Sequence, residues 1–119
     1  MKVAITSKGP ELSSQTDPRF GRGAYIIIID SESKEFEAID NSANVNAFKG
    51  AGIQAATLVA EKKVDVLMTG HCGPNAFKTL DAVGIKVVND ISGNVEDAFN
   101  KLMAGDVQYA TGADVEGHW

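Results

Sequence analysis

The chain has 119 residues, 44% of them hydrophobic and 23% charged, which suits one globular domain long enough to bury a core without staples. A formal net charge of −5 argues against general nucleic-acid binding, which needs a basic face, and requires any anionic ligand to be held by local donors against the overall field. A single cysteine excludes an internal disulfide and a four-thiolate iron–sulfur cage.

The opening MKVAITSKG carries no long apolar region of signal-peptide type and no membrane span, so with one unpaired cysteine a cytoplasmic location is expected. Lys2 to Thr6 alternates into a short apolar strand. A polar, turn-rich segment, Ser7 to Gly23, follows; connections of this length without structure of their own are often functional. Ala24 to Asp30 (AYIIIID) is β-branched and unbroken, the pattern of a strand buried on both faces. Lys34 to Asp40 alternates and reads as its hairpin partner, nearer the edge. After the polar loop Asn41 to Ala47 comes a helix, about Lys49 to Lys63, with Ile53, Ala56, Val59 and Ala60 on one face. Val64 to Thr69 is a buried strand. The turn TGHCGPN leads into a helix near Pro74 to Val83, ended by Gly84. Ile85 to Val88 is a last short strand, and Val95 to Ala104 a third helix with Val95, Ala98, Phe99 and Leu102 inward. The expected organisation is one domain over 1–104 and a polar tail over 105–119 that contains His118 and Trp119.

The order βββαβαβα predicts an α/β ribonuclease-H-like three-layer fold. Its mixed five-stranded sheet would have order 3-2-1-4-5, with strand 2 antiparallel and helices flanking. In such a sheet ligands favour the crevice at the carboxyl ends where the strand order turns. The loop after strand 1, the start of strand 2, the Asn41 loop, the GHCGPN turn and the loop Asn89 to Asn94 all reach that rim.

Two segments there carry chemistry. DPRFGR, Asp17 to Arg22, sets Arg19 and Arg22 three apart around Phe20, and arginine forks suit anions because they stay charged and donate several hydrogen bonds. The structural alternative is that Asp17 pairs with an arginine while Phe20 plugs the core. In GHCGPN, Gly70 and Gly73 permit close approach of backbone, and Pro74 suits the first helical position. A thiolate at Cys72 would be favoured by the adjoining helix N-terminus and, with the neighbouring His71, could contact a soft metal. The alternative is a small buried cysteine filling a turn. Gly50-Ala51-Gly52-Ile53-Gln54-Ala55 fits a dinucleotide-binding pattern but follows a polar loop instead of a strand; those glycines read as room for close helix packing or a second anion-accepting helix start. Strand 1 lacks the carboxylates that nuclease chemistry on such a sheet requires.

Taken together, MKVAIT, DPRFGR before an apolar strand, Asn41-Ser42, GAGIQAA and the block VDVLMTGHCGPNAFKTLDAVGIKVV resemble the dinitrogenase iron–molybdenum cofactor biosynthesis family, over about Met1 to Val88. The resemblance implies the same ribonuclease-H-like fold. It implies a non-enzymatic domain that binds or carries an anionic metal–sulfide cluster without covalent attachment, either a molybdenum–copper–sulfide cluster or an iron–molybdenum-type cofactor or its precursor. Cofactor-binding residues would be Arg19, Phe20, Arg22, Asn41, Gly70, His71, Cys72, Gly73 and Asn75, with Cys72 and His71 contacting metal. The expected partners are the cluster and a protein that delivers or receives it, with neither nucleic acid nor membrane. Two other functions stay open on the residues: an interaction or regulatory domain without cofactor, and a small hydrolase or transferase using Cys72.

Overall fold

The structure, a computed structural model, describes residues 1–41 and 51–110. Its elements run β1 (Lys2–Ser7), β2 (Tyr25–Asp30), β3 (Phe36–Asp40), α1 (Ala51–Glu61), β4 (Val66–Met68), α2 (Pro74–Ala82), β5 (Lys86–Val88) and α3 (Val95–Met103). The sheet order is β3-β2-β1-β4-β5. β2 runs antiparallel to both β1 and β3, and β4 runs parallel to β1 and β5. The ribonuclease-H-like α/β order expected from the sequence is therefore the one formed.

Strand side chains alternate between two faces, and both faces are covered. Ala4, Ile26, Ile28, Leu67 and Val87 pack against Ala55, Ala56, Val59, Ala76 and Leu80 of α1 and α2. On the other face Val3, Ile5, Ile27, Ile29, Val66, Met68 and Val88 meet Val95, Ala98, Phe99 and Leu102 of α3. The unbroken run of four isoleucines in β2 follows from this: Ile26 and Ile28 serve one core, Ile27 and Ile29 the other. β3 lies at the sheet edge and is mostly exposed, which suits its alternating polar sequence.

Three boundaries differ from the sequence reading. β4 is shorter than Val64 to Thr69, because Lys63 turns the chain at φ 58° and Val64 still lies in that turn. α2 and α3 stop one residue early, at Ala82 and Met103, with Gly84 (φ 80°) and Gly105 (φ 75°) just beyond. α1 buries Ala55, Ala56 and Val59 but leaves Ile53 44% exposed. Small alanines set the buried face of α1 because Gly52 and Ala55–Ala56 bring it close to α2, and Ile53 falls outside that contact. The expected first residues of this helix, the Asn41–Ser42 turn beyond Asn41, and the tail residues His118 and Trp119 lie outside the described residues. Within the described tail, the Ala110 N–H donates to the Val87 carbonyl at 2.7 Å and the Lys86 ammonium sits 5.3 Å from the Tyr109 ring centre.

Candidate functional site

β1 and β4 are parallel neighbours, so the loops leaving their carboxyl ends emerge side by side. The long loop Ser7 to Gly23 is held there by its own backbone. Lys8 N–H donates to Gln15 O at 2.9 Å, and both the N–H and the hydroxyl of Thr16 donate to Gly93 O at 2.9 Å. Beneath it the Thr6 hydroxyl, at the end of β1, donates to Asp17 O at 2.6 Å and lies 3.0 Å from the hydroxyl of Thr69, at the end of β4. Asn41, after β3, donates its side-chain amide to Gly21 O at 3.0 Å and Gly23 O at 2.8 Å. On the far side Asp90 N–H donates to Gly70 O at 3.0 Å. The loops expected to share a rim are thus bonded to one another.

DPRFGR and GHCGPN, distant in sequence, join directly. His71 N–H donates to Pro18 O at 2.7 Å and Phe20 N–H to His71 O at 3.3 Å, a short parallel bridge between Arg19 and His71. Gly70 makes the approach possible. A Cβ there would sit 2.5 Å from Pro18 Cα and 2.6 Å from Pro18 O, too close for any side chain.

The structural alternative for DPRFGR holds. Asp17 is buried and pairs with Arg19: Nε donates to Oδ1 and Nη2 to Oδ2, each at 3.1 Å, and the Arg19 backbone N–H adds a bond of 3.0 Å to Oδ1. Burial alone would raise the Asp17 pKa. The Arg19 side-chain and backbone hydrogen bonds, its positive charge and a bond from the Ala24 N–H outweigh that and hold the carboxyl below its ordinary value. The reciprocal bond from Asp17 raises the Arg19 pKa further. Phe20 packs against the core. Yet the Arg19 side chain stays 61% exposed and, with Arg22, faces an open cleft.

The opposite wall is the start of α2. Gly73 is its N-cap residue, with φ −70° and ψ 169°, and no side chain caps the helix. Pro74 holds the first position, where its missing N–H costs nothing. A helix start leaves its first N–H groups without intrahelical partners and gathers partial positive charge. Those of Asn75 and Ala76 come first here, since the Phe77 N–H already donates to Gly73 O at 2.9 Å. Gly73 differs from Gly70: its backbone needs no glycine, and a Cβ would meet nothing within 4 Å. No packing within the described chain requires the missing side chain, and its absence keeps the helix start open to the cleft.

The cleft has a volume of about 490 Å³, within the range of ligand pockets. Arg19, Arg22 and His71 form its cationic and imidazole side; Phe20, Ile53, Pro74 and Ala76 its apolar side; Gly52, Gly73 and Asn75 complete it. Six residues singled out in the sequence therefore line one space: Arg19, Phe20, Arg22, His71, Gly73 and Asn75. Three do not. Gly70 and Asn41 hold the loops from behind, as described. Cys72 is 0% exposed and belongs to the core beneath α1 and α2, with its sulfur 3.8 Å from Gly73 O. The thiol turns inward because its neighbour His71 turns outward, so the expected His71–Cys72 pair is split between surface and core. Among the described residues no three His, Cys, Asp or Glu side chains cluster in a way that could hold a bare metal ion. Sequence reasoning missed Gly52 and Ile53 as wall residues. Gly52 carried a signal, since its Cβ would lie 3.3 Å from Ala76 Cβ, the close helix packing its small size suggested. Ile53 carried none, because its apolarity placed it in the core.

Comparison with known proteins shows the family and the fold. The family model described as dinitrogenase iron-molybdenum cofactor matches residues 1–105. The apo form of the orange protein from Desulfovibrio gigas is similar at 39% identity and a TM-score of 0.93, over 96% of each chain. A Thermotoga protein of the DUF35 family is similar at 35% identity and a TM-score of 0.83, over 98% of each chain. An uncharacterized protein of Methanocaldococcus jannaschii is 27% identical over 111 residues, 91% of this chain and 90% of its own. The chain belongs to the dinitrogenase iron–molybdenum cofactor family and is a small cofactor-related domain.

Proposed function

We propose that this protein is a non-enzymatic carrier of an anionic metal–sulfide cluster that contains molybdenum, of the molybdenum–copper–sulfide kind or an iron–molybdenum cofactor precursor. The observation that supports it most is the cleft itself. Two arginines and a helix start with an unfilled N-cap face one space, in a protein whose overall charge is −5. Donors concentrated at one point are what an acidic protein needs to hold a polyanion. The donor set suits the cargo: guanidinium and backbone N–H groups can hydrogen-bond sulfide or oxide ligands from outside the cluster. The apolar wall of Phe20, Ile53, Pro74 and Ala76 suits the weakly hydrated sulfide surface.

In this reading Arg19 and Arg22 donate guanidinium hydrogen bonds to the cluster, the N–H groups of Asn75 and Ala76 receive ligand atoms, and His71 contacts copper or sulfide. Gly73 leaves the space, and Gly70 and Asn41 hold the two loops in register. Cys72 would join as a metal ligand only if its turn rotated the thiol out of the core, so the carrier is proposed to work by outer contacts, and a Cys72→Ser protein should still take up cargo. A noncovalent hold also suits release to a receiving protein. No helix of the described residues is long and apolar enough to cross a membrane, and we place the carrier in the cytoplasm.

The test is reconstitution of apo-protein with tetrathiomolybdate and copper(I), followed by visible spectroscopy of the gel-filtered protein. A charge-transfer band that co-elutes with the wild type and is lost in Arg19→Ala/Arg22→Ala protein is expected. A band equally strong in that variant would remove the cleft from the account, and colourless wild-type protein would favour an interaction domain without cofactor.

A further inference from the structure

The buried carboxylate of Asp17 has no place in the cleft wall, yet it is the most heavily bonded acid near it. A guanidinium has five N–H groups arranged in a planar fork. Arg19 places Nε and one Nη2 hydrogen on the two oxygens of Asp17, at 3.1 Å each. That leaves both Nη1 hydrogens and the second Nη2 hydrogen, a complete second fork, without partners among the described residues. Asp17 is itself immobile: its side chain is 1% exposed, its own N–H donates to Thr6 O at 2.9 Å, and its carbonyl accepts from the Thr6 hydroxyl at 2.6 Å. The arginine is 61% exposed and would otherwise sample many rotamers.

We infer that Asp17 is a positioning residue for anion capture: it grips Arg19 by the Nε–Nη2 edge so that the Nη1–Nη2 edge is presented, pre-ordered, to the anion in the cleft. This inference rests on the carrier reading for the identity of the anion and adds to it how one donor is set. The grip persists when cargo binds, since the two anions occupy different edges of one guanidinium. It also makes Arg19 a source of oriented hydrogen bonds rather than of net charge, because Asp17 cancels the charge locally.

The sign of one substitution separates positioning from simple charge. Asp17→Asn makes the neighbourhood one unit more positive, so if Asp17 merely screened Arg19, binding of tetrathiomolybdate with copper(I) would tighten. Positioning predicts that it weakens, by about tenfold or more, because an asparagine offers one acceptor where the fork needs two. Tighter or unchanged binding overturns the inference. A second measurement needs no variant and covers the case in which Asp17→Asn does not fold. In wild-type apo-protein the Arg19 Nε–Hε NMR signal should be protected from exchange with water and should stay protected at saturating cargo. Loss of that protection, in apo-protein or on addition of cargo, overturns it. Wild-type protein that keeps the protected signal but takes up no cargo would instead sink the carrier reading and leave the Asp17–Arg19 grip standing.

Discussion

Two helices of this protein start at the same edge of the sheet, each after a parallel strand, and they start differently. α3 closes its own end. Asn94 caps it, accepting from Asp97 N–H at 2.8 Å, while Val95 and Glu96 N–H groups donate to Ser14 O and Leu12 O at 2.9 and 3.0 Å. Glu96 and Asp97 add acid to its first turn, as the helix dipole favours. α2 has a glycine without a capping bond, a proline that offers no N–H, no acid in its first turn and a cleft in front. A glycine at the N-cap gives up only a few tenths of a kcal/mol against a capping side chain, so α2 is built slightly below the stability that a side chain at Gly73 could supply. One helix start is finished for stability; the other is left with its donors unspent.

The comparison can be broken most severely at Gly73. Its φ of −70° and the open space where a Cβ would stand let an aspartate be placed there, where it would cap α2 and stabilise the fold by a few tenths of a kcal/mol. The same carboxylate would occupy the anion's place. Gly73→Asp should therefore raise the melting temperature while it weakens cargo binding on the order of 100-fold or more, a pairing of opposite signs that thermal melts and a binding titration would check. Next in size is Gly70→Ala, which forces a Cβ against Pro18 backbone. Urea unfolding should show a loss of about 1–3 kcal/mol, typical of overpacking, and a cleft disturbed from behind. Asn94→Ala should cost about 1 kcal/mol in the same assay and leave cargo affinity unchanged, because no residue of α3 lines the cleft between DPRFGR and α2.

The smallest effect is acid sensitivity at Asp17. Its folded pKa lies below the ordinary 3.8, so its ionised form adds stability that is complete above pH 3.8 and is lost as pH falls through the lowered folded value. Melts recorded from pH 5 downward should therefore show a steeper loss in the wild type than in Asp17→Asn protein. Parallel profiles would mean that the Arg19–Asp17 grip contributes nothing to folding.

Much of this was legible in the residues. Strand order follows from a hairpin and two crossovers, and the doubled isoleucine run in β2 announced a sheet covered on both faces. The glycines of GHCGPN pointed to close backbone approach, though only one of them serves the chain. What could not be read was side-chain direction at turns. Spacing carries no period there, so the sequence could not say that His71 looks out while Cys72 looks in, or that Asn41 braces Gly21 and Gly23 from behind the wall. Ile53 was misplaced for a related reason. Apolarity is a one-way guide to burial, and a residue beside a half-apolar cleft looks the same in sequence as a residue of the core.

The central claim is that cargo sits between the DPRFGR turn and the start of α2. It is tested most directly by recording amide chemical shifts before and after loading with tetrathiomolybdate and copper(I). The account predicts the largest shifts at the Asn75 and Ala76 amides and in Arg19 to Arg22, with Glu96 and Asp97 at the closed start of α3 unmoved. Shifts concentrated at α3, with Asn75 and Ala76 unaffected, would contradict it.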